Sequence, residues 1–344
     1  MTDSPLAGLG VTTPVLAAPM AGGPTTVELV TAAADVGGMG FLAAGYKTAS
    51  QLDSQIAATR AAGTRVFGVN LFAPNPLPVD AAQYRQYAES LRPLAARYGV
   101  SLAEDPVEDD DHWEEKISLL SGDPVPVVSF TFGIPPDRVV ARLRARGTLV
   151  VQTVTTAAEA RAAADAGADL LAVQGWAAGG HSATLTPERF PEQIPTAVLV
   201  AMVQDATRIP VIAAGGLATA VHVAAVIHSG AAAVAVGTPL LRTPESGASA
   251  VHKSAIADHG RGETVLTRCF TGRPARALPN QFTGRYGEAA PAGYPALHHL
   301  TSPIRKAAAA AGCPEAVHLW AGTGYQHATD SPTADVLRDL ASGL

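Results

Sequence analysis

Gln174 through His181 reads Gln-Gly-Trp-Ala-Ala-Gly-Gly-His and directly follows the apolar run Asp169-Leu170-Leu171-Ala172-Val173. The pattern is a short buried strand that opens into a glycine-rich loop and ends in a histidine. Gly179 and Gly180 carry no Cβ, so the backbone there can approach a bound group closely. An imidazole titrates near neutral pH, which makes His181 the candidate base for taking a proton from a substrate.

Other segments offer groups of complementary chemistry. Pro19-Met20-Ala21 follows the first apolar run, Asn70 closes the third, and Gln174 closes the run before His181. Asn and Gln amides donate and accept at once, which suits a heterocycle with both kinds of edge, such as the pyrimidine end of an isoalloxazine. The thioether of Met20 suits packing on a ring face. Gly215-Gly216 precedes the helix start Leu217-Ala218-Thr219, and Gly237-Thr238 forms a second turn. Glycine N–H groups at a helix N-terminus hold a dianionic phosphate without a lysine. Either pair alone also fits an ordinary tight turn. His222 and His228 fall on an exterior helix, whereas His298-His299 lies near a substrate entrance. No spacing of His, Cys, Asp and Glu matches a zinc site, so no metal is expected. Neither a Gly-x-Ser-x-Gly elbow nor a Walker sequence is present.

These residues sit at the ends of regularly spaced apolar runs. Strands are expected at 15–18, 40–43, 65–70, 125–130, 148–152, 169–173, 210–214 and 232–236. Helical segments at 26–36, 50–62, 80–98, 136–146, 156–166 and 218–229 alternate with them. Eight such units in about 240 residues fit an α/β fold, a TIM (β/α)₈ barrel, with a doubly wound open sheet as the competitor. Near-continuous apolar strands are those covered on both faces. A barrel places its site at the C-terminal strand ends and its phosphate after strands seven and eight. The expected organisation is a barrel over 1–260, a small capping subdomain over 261–302, and C-terminal helices over 303–344 packing back on the barrel. One of those helices is expected over Pro303 to Ala311. The acidic stretch 104–115 reads as a solvated loop leading into a helix start.

Hydrophobic residues make up 47% and charged residues 16%, enough for a sizeable core and against disorder. The net charge of −6 gives no reason to bind nucleic acid. Cys269 and Cys313 form no disulfide framework by spacing and read as reduced thiols. The first residues show no secretory leader, and no apolar run reaches roughly 18 residues. The expectation is a cytoplasmic enzyme of small molecules, with no nucleic-acid or membrane partner and oligomerisation left open.

Taken together, several blocks resemble the nitronate monooxygenase family, formerly called 2-nitropropane dioxygenases. They are Ala18 to Gly23, Gly68 to Phe72, Val173 to His181, Ile212 to Leu217, Val236 to Thr238, Gly272 to Arg276 and Trp320 to Gly322. The resemblance runs from about Val15 to Gly324 and implies an FMN-bearing TIM barrel with a smaller cap. It implies that Met20, Asn70, Gln174, Gly179, Gly216, Gly237 and Thr238 contact FMN, with Pro19, Ala21, Gly180 and Gly215 in the same turns. His181 matches the family's catalytic histidine. The implied reaction oxidises a nitroalkane or its nitronate, with FMN and O₂, to a carbonyl compound and nitrite.

The chain departs from the family beside the histidine. The usual segment is Glu-Ala-Gly-Gly-His-Arg-Gly; here Ala177 replaces the Glu, and Ser182-Ala183 replaces Arg-Gly. These departures bear on substrate choice more than on flavin binding. Three alternatives stay open: an NAD(P)H-dependent flavin oxidoreductase of quinone or enoyl reductase type, a flavin-free lyase or isomerase acting on a phosphorylated substrate, and a non-catalytic flavin carrier.

Overall fold

The computed structural model describes residues 4–344. Its strands are β1 (Val15–Ala17), β2 (Phe41–Ala43), β3 (Gly68–Phe72), β4 (Val127–Thr131), β5 (Leu149–Val154), β6 (Leu170–Gln174), β7 (Gly180–His181), β8 (Val211–Ala214), β9 (Ala233–Val236), β10 (Val265–Thr267) and β11 (Ala275–Ala277). Eight of them form one parallel sheet in the order β1-β9-β8-β6-β5-β4-β3-β2. A parallel bridge between Ala17 and Gly40 joins its two ends. The sheet is therefore a TIM barrel, and the open-sheet alternative is excluded.

Successive side chains of a strand point to opposite faces, and the core divides accordingly. On β8, Ile212 joins Leu16, Val127, Val151 and Leu170 in the barrel interior. Its neighbours Val211 and Ala213 pack outward with Leu199, Val203 and Val223 from the helices. Helix entry is set by threonines that accept an N–H of the first turn: Thr26, Thr48, Thr156 and Thr219. Each expected strand is present within a few residues.

The remaining differences have physical causes. The helix expected over Pro303 to Ala311 runs from Ala296 to Ala310, with Pro303 inside it. Leu297, Leu300, Thr301, Ile304 and Ala308 are buried at helical spacing, and that packing carries the helix through the proline. Helices at Trp113–Gly122, Thr196–Ala206 and Ala250–Ala257 add to those read from the sequence. The last of them precedes a small antiparallel sheet, β10-β11-β7. In it Ala275 pairs with His181 and Arg276 with Gly180. His181 is thus on a strand rather than at a loop end. The helix Thr333–Ala341 buries Val336, Leu337 and Leu340 against the outer layer of the barrel. No helix among the described residues is long and apolar enough to cross a membrane.

The acidic stretch is a loop leading into the helix Trp113–Gly122, with Glu114 and Glu115 in its first turn. Asp111 does not stay in solvent. It lies 2.8 Å from the ammonium of Lys116, which is 1% exposed, and accepts the Tyr46 N–H at 2.8 Å. Asp109 pairs with His299 Nε2 at 2.6 Å. Removing one partner of a buried pair strands the other charge, so Lys116→Met is expected to lower stability by about 3 kcal/mol in urea unfolding. Adding Asp111→Asn restores part of that loss, because Asn still accepts from Tyr46 without a charge. Equal losses in the single and double variants would show that the pair is not coupled.

Candidate active site

A cavity of about 620 Å³ opens at the C-terminal ends of the barrel strands. Pro19, Met20, Ala21, Asn70, Gln174, Gly179, Gly180, His181, Gly215, Gly216, Gly237 and Thr238 all line it. The structure therefore brings every sequence-derived candidate into one place: Asn70 and Gln174 lie in the C-terminal parts of β3 and β6, the turn residues follow β1, β8 and β9, and Gly179, Gly180 and His181 come from the segment after β6.

The two glycine turns form one wall. Gly216 has φ +74°, and a Cβ on it would lie 2.9 Å from that of Ala177. A Cβ on Gly179 would lie 2.5 Å from the backbone nitrogen of Gly322. The segment around Gly322 crosses this wall, and its N–H donates to Thr238 Oγ1 at 2.9 Å. No backbone carbonyl among the described residues accepts from the N–H groups of Gly216, Leu217 or Gly237. These donors, beside the start of the helix Ala220–His228, make a cradle suited to an anion.

The other polar groups of the cavity are held by their neighbours. Asn70 donates from Nδ2 to Ser129 Oγ at 2.9 Å, which leaves its Oδ1 for a ligand. Gln174 spends both ends of its amide on the histidine strand: Nε2 donates to the His181 carbonyl at 3.1 Å, and Oε1 accepts from Ala183 N–H at 2.7 Å. Its placement at the cavity agrees with the sequence, but its amide also holds His181 in position. Arg273, fully buried, donates to the carbonyls of Ser182 and Thr184 and stacks over Phe132 at 4.0 Å. Glu159 accepts from Thr184 Oγ1 and from Leu185 N–H.

His181 Nε2 lies 2.9 Å from Thr271 Oγ1. The Thr271 hydroxyl has the Arg273 carbonyl, 3.4 Å away, as its own acceptor. With that bond made, Nε2 carries the ring hydrogen and Nδ1 keeps its lone pair. Phe132, Tyr294 and Trp320 surround the ring at centroid distances of 5.7, 5.9 and 5.2 Å. Burial pushes the imidazolium pKa down to about 3, with the positive charges of Arg273 and Arg305 adding to it. His181 is therefore a neutral imidazole at neutral pH.

Several of these residues are not legible as site residues in the sequence. Tyr46 and Phe132 follow β2 and β4, the right place for a barrel site, yet both have positive φ (66° and 79°) without being glycine. Arg305, His318, Trp320 and Thr271 come from segments beyond the barrel strands. The departures from the family segment pack inward: Ala177, Ser182 and Ala183 are all buried.

The cavity region holds further neutral histidines. Burial lowers His252 to about 4, and burial with Arg305 lowers His298 and His318 well below the usual value. Unfolded histidine titrates near 6.5, so below that pH the unfolded chain binds protons that the folded chain excludes. Stability is full above about pH 6.5 and falls as the pH drops. At pH 5 His181 and His252 are each expected to cost about 2 kcal/mol. His252→Gln keeps the donor to the Trp320 carbonyl, which His252 Nε2 meets at 2.9 Å. Urea unfolding at pH 7 and pH 5 should show a loss smaller by that amount in the variant; identical losses would contradict the burial of a neutral imidazole.

Comparison with known proteins agrees with this geometry. The family model described as nitronate monooxygenase matches residues 3–343. A probable nitronate monooxygenase of Staphylococcus aureus (strain Newman) is 35% identical over 342 residues, spanning 98% of this chain and 95% of the relative. A solved structure of nitroalkane oxidase from Streptomyces ansochromogenes is 45% identical with a TM-score of 0.93, covering 98% of this chain and 97% of its own. That of FabK from Thermotoga maritima is 25% identical with a TM-score of 0.77, covering 99% and 95%. With its histidine set over the mouth of a TIM barrel, the chain belongs to the nitronate monooxygenase family and is a flavin-dependent oxidoreductase.

Proposed function

We propose that the protein binds FMN and uses O₂ to oxidise alkyl nitronates, and nitroalkanes after deprotonation, to carbonyl compounds and nitrite. The observation that carries this reading is His181: a neutral imidazole with a free lone pair, enclosed by aromatic rings, in a cavity that also carries an anion cradle. The nitroalkane oxidase with the same fold at 45% identity supports the same substrate class.

The residues present fit a flavin mononucleotide. Gly215, Gly216, Gly237 and Thr238 would hold its phosphate on backbone N–H groups and a hydroxyl. Asn70 and Gln174 would meet the polar edge of the ring system, with Met20 and the turn at Pro19 and Ala21 against it. Gly179 and Gly180 supply the close backbone approach. A single cradle and no Gly-x-Gly-x-x-Gly unit favour a mononucleotide over a dinucleotide. When bound, the flavin supplies the redox chemistry and passes electrons to O₂.

The chain's own part is binding, orientation and one proton. Nδ1 of His181 takes the α-proton of a neutral nitroalkane. Thr271 fixes the ring through Nε2, and the aromatic walls exclude water around it. A nitronate is already deprotonated and needs no base. His181→Asn is therefore expected to reduce turnover of neutral nitroalkanes by about a hundredfold or more, and turnover of preformed nitronates far less. Equal losses on both would show that proton abstraction is not its role.

Anaerobic mixing of the flavin-loaded protein with ethylnitronate, and separately with NADH and NADPH, tests the reading as a whole. Rapid reduction of the flavin by nitronate, without bleaching by either nicotinamide, is expected. Bleaching by NADH or NADPH alone would assign a reductase. A protein that takes up no flavin would overturn both.

A further inference from the structure

Arg305 is 5% exposed, and no carboxylate pairs with it among the described residues. Its donors go to neutral groups. Nε meets Thr301 Oγ1 at 3.0 Å, Nη1 meets His318 Nδ1 at 3.2 Å, and Nη2 meets the carbonyl and Nδ1 of His298 at 2.9 and 3.3 Å. A guanidinium keeps its charge under these conditions, and a buried charge without a counter-ion is costly.

The arginine also fixes the two imidazoles. Each receives an arginine N–H on Nδ1, so each carries its own hydrogen on Nε2. Neither Nε2–H is matched to an acceptor by these contacts, and His298, His318 and Arg305 all line the cavity. Their positions are rigid: His298 stacks on Tyr46 at 4.3 Å, and His318 sits edge-on to Trp320 at 5.3 Å. The cluster lies at the His181 end. Tyr294 bridges His181 and His298 at 5.9 and 6.4 Å, and Trp320 bridges His181 and His318 at 5.2 and 5.3 Å.

We propose that Arg305, His298 and His318 form an anion-binding subsite that holds a planar oxyanion of the substrate, either its nitronate group or a carboxylate elsewhere on it. The positive charge and two N–H donors then favour an anionic substrate over a neutral one of the same shape. This proposal rests on the nitronate-oxidising reading of the same cavity.

The test uses the flavin-loaded protein and the inert anions formate and nitrate. Their affinity is read from the flavin absorbance and from competition with ethylnitronate. Three variants are compared: Arg305→Lys, His298→Asn and His318→Asn. Asn keeps an acceptor toward the arginine but lacks the outward donor. Hydrogen bonds to charged groups predict a rise of about tenfold or more in the anion Kd, and a higher KM, with kcat retained, for those nitronates whose oxyanion the subsite holds. If Arg305→Lys fails to fold, the histidine variants carry the test.

Equal KM losses for nitronates with and without a terminal carboxylate place the nitronate group in the subsite. Losses confined to the carboxylate-bearing ones place the carboxylate there; both outcomes support the subsite. Unchanged anion affinity in every folded variant overturns it, as does a parent protein that binds neither formate nor nitrate, even where nitronate oxidation stands. Anion binding that weakens in the variants, in a protein that does not oxidise nitronates, keeps the subsite and removes the functional reading.

Discussion

The site depends on one short pairing, Ala275 against His181, which ties the segment after β6 to β11. A strand's side chains alternate in direction, so a one-residue slip would turn the imidazole to the other face. Two backbone pairs cannot resist such a slip alone, and side chains reinforce them. Gln174 grips the His181 carbonyl and the Ala183 N–H, and Arg273 grips the carbonyls of Ser182 and Thr184. Arg276 donates to the Trp176 carbonyl from the paired strand and lies over the Trp176 ring at 4.6 Å. The strand is therefore fixed by residues of the barrel and of the segment around β11 together.

That anchoring has an electrostatic consequence. Arg273 is buried because it is a clamp, and Arg305 is buried within the helix that covers the cavity. Among the described residues no salt bridge joins either to a carboxylate: the buried Glu159 near Arg273 is taken up by Thr155, Thr184 and Leu185, and Asp109 and Asp111 pair with His299 and Lys116. The interior is thus biased toward positive potential. A low-dielectric setting strengthens the effect on whatever lies within it. It holds the imidazoles neutral and welcomes an anion; neutrality keeps the His181 lone pair available, while the same positive charges oppose the imidazolium and favour an anionic partner beside it.

The barrel was legible because its strands are covered on both faces and read as apolar runs ending in glycine, asparagine or glutamine. The glycine turns were legible because only glycine fits there: a Cβ at Gly179 or Gly216 would meet backbone or Ala177. What escaped the sequence is what only tertiary pairing creates. A two-residue strand has no periodicity to detect. Arg305 belongs to a helix that continues through Pro303, where local rules start it too late. Phe132 and Tyr46 look like ordinary residues after strands, since nothing in an aromatic side chain announces a left-handed backbone.

Those two residues show how the periphery enters the site. A left-handed non-glycine residue is held only when its surroundings over-determine it. For Tyr46 the surroundings are the Asp111 carboxylate on its N–H and the His298 ring stacked on its own. Asp111 is itself left-handed, at φ 56°, and is held in turn by Lys116. The acidic loop is thus more than a solvated connection. Through Asp111 it sets Tyr46, and through Tyr46 it sets the face of His298 that borders the cavity. Local preference is violated at successive points along this chain of contacts, and each violation lies where a side chain must be aimed rather than merely buried.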